Sequence, residues 1–285
     1  MQNFENMQIT SKIHILQHPF EIHFPNGQRI PRFVNSLIVF GSDITLVDSG
    51  TKESMQSIFN YIEKQGRKVS DIKTLILSHS HPDHIGSAAR IKELTHCRIM
   101  AHKAEKEWIE NIDLQLKSRP VPGFYELTDR SVKIDSFLED ASVLELDAEI
   151  HSRVIHSPGH SAGSVNLFFI EDKILFTADS IPLKNDIPNY DNYKKLVESL
   201  EKIKDNGQFD ILLSSWAPAI GKREDALAMI DEGSKYLELI DLVVKESYIG
   251  EENKPFEFCE KVIAALGMPA FFKNPICDRA FRTHL

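Results

Sequence analysis

The sequence predicts an α+β fold closed by a helical tail, and three observations carry that expectation. Apolar, β-rich runs fill residues 12–48 and recur over 153–214, a strand–helix–strand succession lies between them, and the strand signal ends after Ser214. At the front, Lys12–Gln17 and Phe20–Phe24 are short β-rich runs and Pro25-Asn26-Gly27 is a turn signal. Arg32–Phe40 and Ile44–Asp48 follow, joined by Gly41-Ser42-Asp43, the pattern of an antiparallel meander. Thr51–Gln65 sets Met55, Ile58, Phe59 and Ile62 at helical spacing, with Gly66 as a stop. Ile72–Leu77, Ile85–Leu94 and Arg98–Ala101 then read as strand, helix and strand, so a mixed sheet is expected. Residues 111–131 have no clean period and hold Pro120, Pro122 and Gly123. They predict a long loop or broken helix that covers a site, with Phe124 and Tyr125 in it.

The second half repeats the style. Arg153–Ser157, Val165–Ile170 and Lys173–Thr177 read as strands, with Glu171-Asp172 as a two-residue turn. Asn192–Lys204 is a helix stopping near Gly207, and Asp210–Ser214 is a last strand. Arg223–Glu246 carries Leu227, Ile230, Leu237, Ile240 and Val244 on one face, and Pro255–Leu266 is another helix. Residues 267–285 pass through Pro269 and Pro275 with no predicted element. The expected division is a catalytic unit over 1–220 and a helical extension over 221–285, acting as a lid or a dimerisation surface.

Lys and Arg number 33 against 42 Asp and Glu, a net charge of −9, which argues against nucleic acid as the main partner. Cys97, Cys259 and Cys277 are odd in number, widely spaced and free of any CxxC pair. A disulfide framework and a thiolate zinc ribbon are therefore not expected. Met1 to Lys12 lacks the apolar stretch of a signal peptide, and no apolar run approaches the roughly 20 residues of a membrane span. The expectation is a cytoplasmic protein with a small-molecule substrate and no membrane partner.

Histidine is the unusual residue, with 12 in the chain and three within six positions. His79-Ser80-His81-Pro82-Asp83-His84 begins where the strand Ile72–Leu77 ends. In extended chain, residues two apart point the same way, so His79 and His81 can grip one metal. Asp83 and His84 face the same pocket from the turn into the next helix. Imidazole and carboxylate without thiolate suit Zn²⁺, Fe²⁺ or Mn²⁺. Downstream, Ser157-Pro158-Gly159-His160-Ser161-Ala162-Gly163-Ser164 is a Gly-rich turn presenting one histidine. Thr177-Ala178-Asp179-Ser180 ends a strand with an acid able to bridge two cations. Seven other histidines, His14, His18, His23, His96, His102, His151 and His156, are scattered and read as structural or exposed.

Taken together, HxHxDH, then a PGH turn, then an aspartate at the next strand end resemble the metallo-β-lactamase superfamily over roughly residues 12–220. The resemblance implies a four-layer αββα sandwich with the metal site at one edge of its two sheets. It implies His79, His81 and His160 around a first metal, Asp83 and His84 around a second, and Asp179 between them. Zinc is the expected ion, one or two per chain, with iron or manganese as alternatives. Leu46-Val47-Asp48-Ser49-Gly50 looks like the family's early strand end, so Asp48 is either a residue that orients ligands or a plain turn residue. Ser164 is expected to support the ligands from the PGH turn.

One departure stands out. The family pattern has a further histidine after the last core strand, whereas this chain reads Leu212-Leu213-Ser214-Ser215-Trp216-Ala217-Pro218. A single tightly held metal, a ligand such as Ser215 or a water, or His284 reaching in from the tail would each answer that gap. The leading functional expectation is a metal-dependent hydrolase of a small ester, thioester or lactone. Metal-activated water would be the nucleophile, and Asp83 would steer it or take its proton. Two alternatives stand beside it. One is a mono-iron oxygenase acting on a persulfide through His79, His160 and Asp179; the other is a non-catalytic metal-binding or oligomerisation protein. The tail is a possible homodimer surface.

Overall fold

The structure, a computed structural model, describes residues 7–23, 27, 29–205, 208–248, 250 and 256–285. Phe24 at the end of the second predicted run, Pro25 and Asn26 of the predicted first turn, Gly207 as a helix stop, and Pro255 as a helix start lie outside the described residues.

Two sheets face each other. The first has seven strands in chain order: β1 (Met7–Gln8), β2 (Ile13–His23), β3 (Arg29–Phe40), β4 (Ile44–Val47), β5 (Ile72–Ile76), β6 (Arg98–His102) and β7 (Ser136–Leu138). Pairs from β1 to β4 are antiparallel, and those from β4 to β7 are parallel, as the strand–helix–strand succession requires. The second sheet joins β8 (Val143–Asp147), β9 (Ile150–His156), β10 (Val165–Phe169), β11 (Ile174–Phe176) and β12 (Ile211–Leu213) in the order β12-β11-β10-β9-β8. Only the β11–β12 pair is parallel.

Side-chain alternation builds the layers. Ile13 and Ile15 of β2, Leu37 and Val39 of β3, Val165, Leu167 and Phe169 of β10, and Ile174 and Phe176 of β11 meet between the sheets. The intervening Leu16 and Ile38 point the other way, toward α1 (Ser54–Lys64) and α3 (Ala88–Thr95), where Met55, Ile58, Phe59 and Ile62 supply the apolar face. Phe168 and Leu175 turn outward onto α7 (Tyr193–Asp205) and α8 (Arg223–Ser247). The result is the expected four-layer αββα sandwich.

Several elements differ from the sequence reading. Ile85–Leu94 is two helices, α2 (Pro82–Ile85) and α3, broken at Gly86-Ser87. The backbone of Gly86 passes so close to Thr51 and Leu127 that a Cβ there would sit 2.3 Å from Leu127 O. The Glu171-Asp172 turn is a four-residue connection, because Phe169 pairs with Ile174. Residues 106–127 carry three short helices, α4 (Lys106–Glu110), α5 (Ile112–Ser118) and α6 (Phe124–Leu127), with Phe124 in the core and Tyr125 exposed. Strands β7 and β8 and the helix α10 (Pro275–Arg282) have no counterpart in the sequence reading. The tail is not peripheral: Ala226, Ile230 and Leu237 of α8 join the α7 layer. A further cluster gathers Tyr236, Ile240 and Val244 with Phe258 and Val262 of α9 (Glu257–Ala265), Phe272, and Phe281 of α10. No helix among the described residues is long and apolar enough to cross a membrane.

Candidate metal centre

The loops at one end of both sheets carry Asp48, His79, His81, Asp83, His84, His160, Ser164, Asp179 and Ser215. Val165 N–H donates to Ser78 O at 3.0 Å across the sheets, and Asn35 Nδ2 donates to Ser214 O at 2.8 Å and Ala217 O at 3.1 Å. These contacts hold the two strand ends together where the donors converge.

His79 and His81 leave β5 in extended chain, and Pro82 opens α2 at its first position, where its missing N–H costs nothing. His160 Nε2 lies 2.8 Å from His81 Nδ1 and 3.1 Å from His79 Nε2. Asp179 Oδ2 comes within 3.4 Å of His160 Nε2 and 3.9 Å of His79 Nε2. One donor atom from each of these four residues lies within 4.8 Å of the others. Burial pushes the His79 and His81 imidazoles well below their ordinary pKa and brings His160 to about 4, so all three are neutral at pH 7. Neutral imidazoles turning nitrogens toward one another at these distances lack the protons to satisfy them all, and a cation among them resolves the conflict. The donor set therefore fits a divalent metal.

A second group adjoins the first. Asp179 Oδ1 is 3.2 Å from His84 Nε2, and Asp83 Oδ2 is 3.7 Å from the same nitrogen. These three atoms are buried without a hydrogen-bond partner. Burial alone would lower the His84 pKa, but Asp179, Asp48 and Asp83 around it raise it well above the usual value. Burial raises Asp83. Asp179 is also buried, yet His84, His160 and His79 hold its carboxylate below the ordinary range.

A surrounding shell aims these groups. Asp48, fully buried with a left-handed φ of 62°, accepts from Ser78 N–H, Ser78 Oγ–H and His84 Nδ1–H at 2.7, 2.7 and 2.8 Å. Ser78 Oγ is 2.9 Å from His79 Nδ1, so one carboxylate orients two imidazoles. Ser164 Oγ accepts from Ser161 N–H at 3.1 Å and braces the PGH turn rather than touching a ligand. In that turn Gly159 has φ +134°, and a Cβ there would lie 2.4 Å from the backbone of Leu196, so only glycine fits.

Besides Ser78, two residues of this shell escaped the sequence reading. Glu105, buried just before α4, accepts from Ser80 N–H at 2.9 Å, Ser161 Oγ–H at 2.7 Å and Gly163 N–H, tying the HxHxDH loop to the PGH turn. Arg119, buried after α5, donates to Asn189 Oδ1 and lies 3.9 Å from Asp191, which Arg279 of α10 holds at 2.7 Å. The Arg119 charge also bears on Asp83 and Asp179. A lone buried Glu and a lone buried Arg give no motif; their polar partners are distant in the chain.

Of the two substitute ligands, Ser215 is fully buried beside the Asp179 strand end, its N–H bonded to Ala178 O at 3.1 Å and its hydroxyl without a partner. His284 is a correction: its Nε2 is 2.7 Å from Tyr190 Oη and its Nδ1 3.1 Å from Asp241, and its ring stacks on Tyr193 at 3.9 Å. Both ring nitrogens are engaged, so it braces the tail and does not enter the donor set. Trp216, in place of the missing histidine, donates from Nε1–H to Asp179 Oδ2 at 2.8 Å. A cavity opens beside the donors, walled by Ile181, Leu183, Ile187, Tyr190, Leu196 and Trp216.

A sandwich of two sheets gathering three imidazoles and a carboxylate at one edge defines a metal-centre protein of the αββα class. The family model of the metallo-beta-lactamase superfamily matches residues 29–227, well over half of the chain, and the chain belongs to that superfamily. A hydroxyacylglutathione hydrolase of Rhodopseudomonas palustris (strain HaA2) is 28% identical over 120 residues, 42% of this chain and 37% of that protein. The chain spans less than half the length of the first hydroxyacylglutathione hydrolases it matches. A probable metallo-hydrolase of Methanocaldococcus jannaschii is 25% identical over 206 residues, 68% of this chain and 90% of that one. Among solved structures, a metallo-beta-lactamase family protein from Thermus thermophilus superposes with a TM-score of 0.70 at 18% identity, covering 93% of this chain and 91% of that one.

Proposed function

We propose that this chain is a metal-dependent hydrolase of a small thioester, with His79, His81, His160 and Asp179 holding the ion. The convergence of those four donors beside a largely apolar cavity carries the reading, and the similarity to hydroxyacylglutathione hydrolases supports the thioester class. A divalent ion in that set, zinc in this proposal, lowers the pKa of water and polarises a carbonyl.

The chain's own residues supply the rest. Ile181, Leu183 and Ile187 receive the acyl chain and exclude bulk water. Asp83, buried with Oδ2 free of partners, accepts the proton from the attacking water and returns it to the departing sulfur. Water adds to the carbonyl carbon, the C–S bond breaks, and an acid and a thiol leave. Asp48 and Ser78 keep the imidazoles from turning during the cycle. His81 Nδ1 joins His79 and His160 in the donor set, which favours hydrolysis over a centre of two imidazoles and one carboxylate.

The test is release of free thiol from a hydroxyacylglutathione and simple thioesters, and release of acid from matching oxygen esters and lactones, by zinc-loaded protein. Thioester turnover is expected to exceed the others and to vanish in His160→Ala. Loaded, folded protein with no turnover of any member would refute the assignment.

A further inference from the structure

We propose that the centre retains one divalent cation tightly and that Trp216 keeps the Asp83–His84 side from retaining another. The inference rests on the metal-centre reading above and concerns how many ions this chain's residues can hold.

The indole N–H is a donor with no lone pair to offer a metal. It does not merely leave a gap: it donates to Asp179 Oδ2 at 2.8 Å, the carboxylate both groups of donors would share. A second cation would therefore have only Asp83, His84 and the Asp179 Oδ1 that faces His84, with an indole where a further ligand would stand. The ring cannot easily swing aside. The Arg32 guanidinium lies 5.5 Å over it and is itself paired with Asp186, and Phe20 packs edge-on at 6.1 Å. Asn35 holds the chain on both sides of it, at Ser214 O and Ala217 O. The buried Arg119, held by Asn189 and Asp191, brings a positive charge that acts on Asp83 and Asp179 and disfavours a further divalent ion. The Ser215 hydroxyl next door is a neutral oxygen, a poor substitute for imidazole as a zinc ligand. Asp83 Oδ2, without a hydrogen-bond partner, is thereby left to water and substrate, and His84 Nε2 stays against Asp179 Oδ1.

The test is a zinc titration of metal-free full-length protein against a chromophoric chelator, with elemental analysis after gel filtration. One equivalent is expected to remain, with any second held at least about a hundredfold more weakly, the scale on which even a ligand's outer partner matters. Trp216→His, its fold checked by circular dichroism, is expected to retain two. Two tight equivalents in the unaltered chain would overturn the proposal, as would a folded Trp216→His protein that still retains one. If that variant does not fold, the count in the unaltered chain decides. No retained ion at all would instead refute the metal-centre reading beneath it.

Discussion

Glu105→Gln isolates the link between the two histidine loops. The substitution preserves size and removes one acceptor oxygen. In the native chain Oε1 serves both Ser161 Oγ–H and Gly163 N–H, and Oε2 serves Ser80 N–H. If the amide oxygen keeps the first pair, the NH₂ group faces Ser80 N–H, donor to donor, and a buried N–H is orphaned. That alone costs about 1–3 kcal/mol. The remaining bonds lose their charge assistance, roughly half their strength, for about another 1–2 kcal/mol. The sum, about 3 kcal/mol, is measured by urea unfolding of the metal-free protein, followed by fluorescence of Trp108 and Trp216. A second readout follows from position, because the link sets the distance of His160 from His79 and His81. Zinc affinity is expected to fall about 10- to 100-fold in competition with a chelating dye. A midpoint change worth under about 1 kcal/mol with unchanged zinc affinity would refute the role given to Glu105.

Other consequences are independent of it. Asp83→Asn is expected to lower turnover at least about 100-fold while elemental analysis shows unchanged tightly bound metal; unchanged turnover would remove Asp83 from proton transfer. His18, fully buried against Ser36 and Ser57, has its pKa lowered by burial to about 4. The unfolded chain therefore binds the extra proton first, and the contribution of neutral His18 is complete above about pH 6.5 and lost as pH falls toward 4. Between pH 7 and pH 5 that loss is about 2 kcal/mol, and the unfolding free energy of His18→Gln from urea titrations should fall less over the interval by that amount. Gly159→Ala is expected to cost about 3 kcal/mol or more through its left-handed φ and the collision with Leu196, read as a lowered thermal midpoint.

Much of this architecture was legible because alternation and helical spacing are local. Met55, Ile58, Phe59 and Ile62 announce α1, and Ile13, Ile15 and Leu16 already sort themselves onto two faces. The HxHxDH order and the PGH turn located the donor loops for the same reason. The missed elements fail locally. Ser136–Leu138 is three residues long and exists through parallel pairing with β6. Pro275 reads as a breaker, yet it sits at the first position of α10, and Asn274 Oδ1 accepts from Ile276 and Cys277 N–H to cap it. Pro120, Pro122 and Gly123 do interrupt the chain, but between short helices. Glu105, Arg119 and the fate of His284 depend on partners from 25 to 94 positions away, which no spacing reveals.

Most of the apolar cavity wall lies in a different segment from the donors, although His160 and Asp179 also line the cavity. Strand ends carry the donors, whereas most of the wall is the connection from Ile181 to Tyr190, buttressed by the tail through Tyr236 Oη to Asp186 O, His284 to Tyr190, and Arg279 to Asp191. Reagent and reactant are thus housed in separable modules. If the proposed thioesterase activity holds, redesigning residues 181–190 together with α10 is expected to retune which acyl groups are admitted while the four donors stay in place.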